Sequence, residues 1–319
     1  MLFSAQVSKV FPLLLCASIA TFTSVTTQAA SMQFFVTEDN DGAVGQDRDY
    51  TNGTILGINL PLPALRGSRG DTFTLRGGQL MWVPSDIELA KPQANERPYA
   101  GLLFAEAGVQ LYSPFNVAKF DLMVGTVGPK AGAEDTQKFI HDLIGSPEPM
   151  GWDYQIDNRS VYQISGQYEQ LVMRQRGMLN MDTDLSVQVR GSLGTFREEA
   201  AIGTYWRWGQ DLGSNFGAIS MKQGRFFDHA AMLNSPRGFF LFAGLEGLYR
   251  TRDITIEGAK PDENADISIE PWQAGGILGG AWYGPNWGLT MSFAIQTAEF
   301  EQDKNGHHPL GTFSGFYRF

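Results

Sequence analysis

The sequence predicts an all-β protein, an antiparallel transmembrane β-barrel of about twelve strands with a short helix in an extracellular loop. Beyond residue 30 no run of roughly 18 uncharged apolar residues occurs, which excludes membrane-spanning helices. Segments that alternate between apolar and polar residues cover most of the chain, and 37 glycines and 12% aromatic residues accompany them. This composition is typical of a membrane barrel, because only every second residue of each strand faces lipid.

The first 30 residues predict an export signal. Lys9 is the only charge among them, and the apolar stretch 11–25 is too short to span a bilayer comfortably. A transmembrane anchor is the alternative. Removal of the signal also removes Cys16, the only cysteine, so disulfides and thiol catalysis are excluded. Residues 31–319 are then predicted to form one barrel domain.

Alternation over roughly 9–16 residues marks the strands. They are expected near residues 32–39, 50–60, 71–83, 99–112, 115–127, 158–173, 183–195, 199–210, 237–252, 266–283, 285–300 and 310–319. Their polar positions hold small or hydrogen-bonding residues, which predicts a crowded lumen. The last strand ends in Phe319, similar to the C-terminal signal of bacterial outer-membrane barrels. A soluble β-sandwich is the alternative.

An even strand count places both termini in the periplasm, so the remaining loops alternate between the two sides. The outward loops are then 40–49, 84–98, 128–157, 196–198, 253–265 and 301–309. Residues 61–70, 174–182 and 211–236 are expected at the periplasmic end. The last of these segments is long and uneven, and it contains either an elaborate turn or a further hairpin.

The longest outward loop is predicted to contain a helix over residues 133–145, with acidic residues in its first turn and glycine after its last. Its apolar stripe is formed by Phe139, Ile140, Leu143 and Ile144. His141 lies at the edge of this stripe, where a structural role is the plain alternative. A helix folded onto the barrel wall would, however, create a cleft at the lipid boundary, and histidine takes up protons near neutral pH.

The first outward loop is rich in acidic residues. The segment 38–53 holds five carboxylates within twelve residues, together with amide and hydroxyl groups, and these are the oxygen ligands that Ca²⁺ prefers. The spacing is not that of an EF-hand, and a solvated acidic turn is the alternative. By the strand count, this loop and His141 lie on the same side of the membrane, which favours a shared site.

Several other functions find little support in the sequence. The formal net charge of −10, or −11 without the signal, argues against nucleic-acid binding. No Gly-x-Ser-x-Gly motif is present, so a serine nucleophile has no support. Three further histidines are weaker candidates for a base: His229 falls on the periplasmic side, and His307 and His308 lie in a polar turn of the last outward loop.

Several stretches of the sequence resemble the outer-membrane lipid A 3′-O-deacylase family. The matching stretches lie in the first half of the mature chain: Asp39–Gly42, Asp47–Gly53, Glu96–Ala100, Val127–Gly132, His141–Gly145, Trp152 and Gln155–Arg159. The second half matches mainly as alternating strands.

The resemblance implies a twelve-stranded barrel whose site lies between its outer wall and the helix of the third outward loop. A bound Ca²⁺ and a histidine-activated water would hydrolyse an acyl ester of lipid A, with lipopolysaccharide as the partner in the outer membrane. His141 matches the general base of the family. Asn40 and Asp41 match an Asn-Asp pair near the metal, and Thr51 matches the site threonine.

One position departs from the family pattern. A glutamate of the family falls opposite Pro147 here, and Glu148 follows one place later as a candidate metal ligand that a small loop shift would bring into position. An outer-membrane phospholipase is the alternative enzyme, because the same groups suit its chemistry. A structural or narrow-channel barrel whose acidic loops bind Ca²⁺ between lipopolysaccharides is the non-enzymatic alternative.

Overall fold

Antiparallel strands form a closed barrel in the computed structural model, which describes residues 32–45, 47–65, 70–258, 260–264 and 266–319. Within these residues the barrel has twelve strands: β1 (Gln33–Asn40), β2 (Asp49–Leu62), β3 (Asp71–Val83), β4 (Ala100–Tyr112), β5 (Asn116–Val127), β6 (Arg159–Arg176), β7 (Asp182–Gly194), β8 (Arg197–Gly209), β11 (Gly238–Asp253), β12 (Trp272–Tyr283), β13 (Trp287–Thr297) and β14 (His307–Arg318). Two shorter strands, β9 (Ile219–Lys222) and β10 (Arg225–Phe227), form a separate hairpin. The predicted export signal lies outside the described residues.

Each barrel strand pairs with its neighbour along the chain, and β1 pairs with β14 to close the barrel. In the closing pair, Gln33 lies opposite Arg318 and Asn40 lies opposite Gly311. Every predicted strand corresponds to one observed barrel strand, with ends that differ by a few residues. The predicted fold class is therefore confirmed.

The two faces of the wall differ as the alternating pattern requires. On β5 the exposed residues Phe120, Leu122 and Val124 alternate with the buried residues Lys119, Asp121 and Met123. Apolar side chains thus point outward and polar ones point into the lumen. A soluble barrel would show the opposite arrangement, so this wall is built to face lipid.

The β9–β10 hairpin lies inside the barrel. At its tip, the backbone N–H of Gly224 donates to Asp39 Oδ2 at 3.1 Å, and Gln223 Nε2 donates to Glu299 Oε1 at 2.9 Å. The further hairpin that the sequence left open within 211–236 is therefore confirmed, but it rises through the lumen, so the expectation that the whole segment stays at the periplasmic end is wrong. This hairpin contacts no lipid, so the one-sided apolar pattern that identifies the other strands is missing from it.

Ion pairs hold the hairpin and the loop after it in the lumen. Lys119 Nζ lies 2.9 Å from Asp228 Oδ2 and donates to the backbone oxygen of Gly217 at 2.7 Å. Arg225 pairs with Glu106 and with Asp121, the latter at 2.7 Å. All these charged side chains are buried, and each has a partner of opposite sign. The predicted crowded lumen is confirmed.

Helix α1 (Ala133–Ile144) and the short helix α2 (Ile254–Glu257) lie at one end of the barrel, which we call the α1 rim. The other end, the terminal rim, carries the chain end, where the N–H of Phe319 donates to the backbone oxygen of Met32. Asn40, Thr51, Arg97 and His141 share the α1 rim, as the strand count predicts. No helix among the described residues is long and apolar enough to cross a membrane.

Candidate functional site

Helix α1 packs against the outer wall of the barrel at β3 and β4. Gly101 makes this approach possible, because a Cβ at this outward position would lie 2.5 Å from the Cβ of Ala133. Gly145 ends the helix with a φ of 73°, a conformation that favours glycine. The predicted helix and its glycine C-terminus are confirmed.

The polar side of α1 faces the barrel, and its apolar stripe faces outward. Gln137 and His141 lie one turn apart on the same side, and both are buried. The predicted stripe (Phe139, Ile140, Leu143 and Ile144) is 40–66% exposed. The helix therefore encloses a polar space against the wall and offers an apolar surface to the surroundings of the barrel.

The imidazole of His141 is oriented by the loop that follows the helix. Its Nδ1 lies 2.6 Å from the backbone oxygen of Pro147, so Nδ1–H donates to this carbonyl. In the neutral ring, Nε2 then carries the lone pair, and it points into the enclosed space at 3.4 Å from Asp47 Oδ2. This arrangement suits a base that accepts a proton at Nε2, beside a carboxylate that stabilises the protonated ring.

Two carboxylates of the first loop meet at the hydroxyl of Thr51. Its Oγ1 lies 2.8 Å from Asp41 Oδ1 and 2.9 Å from Asp47 Oδ1. The second oxygen of Asp41 accepts the backbone N–H of Arg48 at 2.7 Å. The fold thus brings together Asp41, Thr51 and His141, which the sequence predicts as site residues, and adds Asp47 between them.

In the part of the chain that the structure describes, the carboxylates of this cluster have no lysine or arginine partner. Burial raises the pKa of Asp41 to about 8, and the neighbouring charge of Asp47 contributes. Burial also raises the pKa of Asp47. Among the described residues neither carboxylate forms an ion pair with lysine or arginine, and no group of three or more His, Cys, Asp or Glu side chains is arranged to hold a metal. Further ligands to a cation here would have to be amide, hydroxyl, water or substrate oxygens.

The other two predicted site residues are placed differently. Asn40 ends β1 on the outer wall, and its Oδ1 lies so close to Gly42 that a Cβ there would approach it to 2.6 Å. Its amide oxygen therefore lies beside the backbone of Gly42. Glu148 is exposed, and within the described part of the chain it forms no hydrogen bond or ion pair.

Gln137 is a site residue that the sequence analysis did not single out. Its Oε1 accepts the indole N–H of Trp152 at 2.8 Å, and its Nε2 lies 3.4 Å from Asp47 Oδ1. The Trp152 ring packs against Tyr99. Gln137 thereby links α1 to the acidic loop. Its position four residues before His141, on the same helical face, was the available signal.

The remaining candidate bases are held elsewhere. His308 lies between Asp49 and Asp303, 2.8 Å from an oxygen of each. His229 lies in the lumen, stacked on Phe35. His307 is exposed at the rim. Only His141 among the described histidines faces the cluster at Thr51.

The fold and the site together define a membrane β-barrel that carries a histidine and paired carboxylates on its outer wall. A family model described as "Outer membrane protein LpxR" matches residues 11–319. The chain therefore belongs to the LpxR family of outer membrane proteins, and the family resemblance of the sequence motifs is confirmed. A search of curated protein sequences gives no significant match.

A solved structure shows the same fold. LpxR from Salmonella typhimurium matches with a TM-score of 0.79 and 17% identity, over 90% of this chain and 100% of that one. The β domain of the Bordetella autotransporter BrkA matches with a TM-score of 0.44 and 9% identity, over 92% and 100%. The first match shares the whole architecture with this chain.

Proposed function

We propose that the protein is a lipid A 3′-O-deacylase, which hydrolyses ester-linked acyl chains of lipid A in the outer leaflet of the outer membrane. One observation carries the proposal: Nε2 of His141 lies 3.4 Å from Asp47 Oδ2, and the other oxygen of Asp47 contacts the Thr51 hydroxyl, in a polar space on the lipid-facing side of the wall. Membership of the LpxR family supports it. A passive barrel has no need of this arrangement.

The cluster fits a bound Ca²⁺. Asp41, Asp47 and Asn40 offer the hard oxygen ligands that this ion prefers. Burial raises the pKa of both carboxyls, and no lysine or arginine among the described residues compensates their charge, so a bound cation would favour their ionised forms. Glu148 would join only after movement of its loop. When bound there, Ca²⁺ would supply a positive charge that polarises the ester carbonyl and stabilises developing negative charge on its oxygen.

Residues of the chain carry out the proton transfers and orient the base. His141 Nε2 takes a proton from the attacking water, while the carbonyl of Pro147 keeps Nδ1 protonated and the ring in place. Asp47 stabilises the imidazolium that forms. The proton then passes to the sugar oxygen as the acyl C–O bond breaks, which yields a free fatty acid and a hydroxyl on the sugar. No covalent intermediate is needed.

The apolar stripe of α1 supports a substrate that stays in the membrane. Its exposed side chains lie beside the cleft, so an acyl chain in the leaflet can pass along them while its ester reaches the polar space. The lipid then need not leave the bilayer. A water-soluble substrate would gain nothing from such a surface.

Mass spectrometry of lipid A tests the proposal. Lipid A from cells that express the protein is expected to lose the mass of one acyl substituent, and cells without it or with His141→Ala retain that mass. Glycerophospholipids from the same cells form the second arm. Loss of acyl chains from these lipids alone would replace the proposal with phospholipase activity, and no change in either class would refute an enzymatic function.

The proposal also requires the α1 rim to face outward, because lipid A occupies the outer leaflet. An affinity tag inserted beside Lys130, at the start of the α1 loop, is expected to be detectable on intact cells. A tag beside Ser214, at the terminal rim, is expected to be hidden until the outer membrane is opened. A hidden Lys130 tag on correctly inserted protein would remove the physical basis of the proposed function.

A further inference from the structure

A polar patch faces the membrane directly below the site. It consists of Glu38, Asn52, Thr54 and Gln79, which we call the wall patch. All four occupy outward positions, and they lie on three adjacent strands, β1, β2 and β3. Glu38 lies opposite Thr54, and Thr54 lies opposite Gln79.

The surroundings of the wall patch are apolar. In the same row across the strands, Phe313 lies opposite Glu38 on one side and Leu103 lies opposite Gln79 on the other. The outward residues nearer the terminal rim are Val36, Leu56 and Leu75. All five of these apolar side chains are 38–49% exposed. The patch is thus a polar window three strands wide in an apolar wall.

A carboxylate in such a position destabilises the barrel, so its presence points to a function. Ionisable groups on a lipid-facing surface destabilise a barrel, and those that persist commonly serve a function. Asn52 Nδ2 donates to Glu38 Oε1 at 2.6 Å, and Thr54 Oγ1 donates to Oε2 at 2.7 Å. Among the described residues no lysine or arginine pairs with Glu38. Within the described part of the chain, only neutral groups donate hydrogen bonds to its carboxylate.

The hydrogen bonds of Glu38 leave room for a ligand. An ionised carboxylate has about four lone-pair sites, and two are occupied here. Glu38 is only partly buried and Thr54 is exposed, so a group in the membrane can reach both. Because a carboxylate only accepts hydrogen bonds, the ligand group must be a donor.

The wall patch is continuous with the candidate site. Asn52 follows Thr51 and lies opposite Asn40. Gln79 Nε2 donates to the backbone oxygen of Ala131 at 2.7 Å, two residues before α1. A lipid whose ester lies beside His141 would therefore place the first atoms of its acyl region against the patch.

We propose that the wall patch binds a hydrogen-bond donor of the lipid substrate, a hydroxyl or an amide N–H close to the scissile ester, with Glu38 as the acceptor. This inference rests on the proposed function and sharpens it. Sugar lipids with amide-linked or hydroxylated acyl chains carry such donors. The ester region of a glycerophospholipid carries none, so the patch selects the former class.

Binding to the inactive His141→Ala protein tests the inference without any turnover. The probe is a glucosamine lipid with one amide-linked chain and one ester-linked 3-hydroxyacyl chain, and its affinity is measured by native mass spectrometry in detergent. Two analogues separate the sources of the donor: one lacks the hydroxyl, and the other has an ester in place of the amide. Glu38→Leu is added to the same background, and Thr204→Val, an exposed outward threonine of β8, is the matched control.

Glu38→Leu is expected to weaken binding of the full probe about tenfold, because it removes one hydrogen bond to a charged acceptor. One of the two analogues should bind as weakly to the unaltered patch, and Glu38→Leu should not weaken that analogue further. Thr204→Val should leave all affinities unchanged. Equal affinities of the Glu38→Leu protein and its parent for the full probe would overturn the inference.

Two additional measurements keep the outcomes apart. Heat-modifiable migration in gel electrophoresis reports whether Glu38→Leu forms the barrel, and Glu38→Gln, which keeps the size and removes the charge, is expected to weaken binding about threefold. Hydrolysis by protein with an intact His141 decides the proposed function separately. A protein that binds as expected but never hydrolyses the ester would refute the proposed function alone.

Discussion

Carboxylates in the lumen of this barrel and carboxylates at its outer wall differ in the partners that surround them. In the lumen, Asp228 pairs with Lys119, and Glu299 pairs with Arg97 and Arg250. At the outer wall, Asp41 and Asp47 meet at a threonine hydroxyl, with no lysine or arginine partner among the described residues. Paired charges in the lumen serve the fold. Asp39 in the lumen is likewise bonded only to neutral donors among the described residues, but Asp47 lies beside His141 on the outer side of the wall, where we propose that a cation and a substrate complete the site.

The largest effect is expected when the side chain of His141 is removed from the outer site. His141→Ala is expected to lower ester hydrolysis by about 10²–10⁴, because a general base contributes about that much. Barrel formation should be unchanged, since the side chain belongs to an external loop. Turnover of a lipid A substrate by purified protein is the measurement.

The matched control is His307→Ala, an exposed histidine at the same rim. It should leave turnover within about twofold, because surface substitutions away from a site have small effects. Near-normal turnover by the His141→Ala protein would end its role as the base.

Chelation tests the proposed Ca²⁺ site. Excess chelator is expected to stop hydrolysis, and Ca²⁺ should restore it better than Mg²⁺, which accommodates irregular oxygen sites less readily. Asp41→Ala should lower turnover by about 10²–10³, the loss typical of one group that supports the oxyanion. Full activity in excess chelator would exclude a metal-dependent mechanism.

Breaking an ion pair in the lumen should lower the stability of the barrel and leave turnover unchanged. Asp228→Asn leaves the buried ammonium of Lys119 without its carboxylate, which is expected to cost about 3–5 kcal/mol of stability. The temperature at which the heat-modifiable band shifts should fall, while turnover below that temperature stays within about twofold. The double variant Lys119→Met with Asp228→Leu should recover part of the lost stability. A large loss of turnover in a stable Asp228→Asn barrel would contradict the assignment of the lumen to structure.

The smallest effect is expected at the apolar stripe of α1. Leu143→Ser should lower turnover of lipid in vesicles by about two- to fivefold, because one apolar contact with the acyl chain is lost. Turnover of a short-chain ester in detergent should not change. Equal losses on both substrates would show that Leu143 supports the helix rather than the lipid.

The barrel was predictable because lipid imposes a strict period of two on every strand that it touches. The β9–β10 hairpin has no lipid contact, so its residues Ile219–Lys222 and Arg225–Phe227 lack that pattern. The strand count therefore assigned the whole of 211–236 to the periplasmic end, with a further hairpin only as an alternative. Strand counting did place the loops of Thr51 and His141 at one rim. A period identifies which face a residue occupies, but it does not identify what fills the interior.

The candidate site was predictable in part. Asp41, Thr51 and His141 converge as expected, and Asn40 lies beside them. Contacts between loops were not predictable, since they depend on how each loop folds over the wall. The backbone oxygen of Pro147 orients His141 at a position where a glutamate was expected, and a carbonyl can do this from any residue type. Glu148 remains a prediction, exposed one residue further along.

The filled lumen has a consequence for the cell that carries this protein. A barrel of this kind would conduct ions and small solutes if its interior were open. The hairpin that rises to Asp39 and Glu299 occupies that route. We therefore expect that the protein forms no open channel through the outer membrane. Planar bilayers with the inserted protein should accordingly show no unitary conductance.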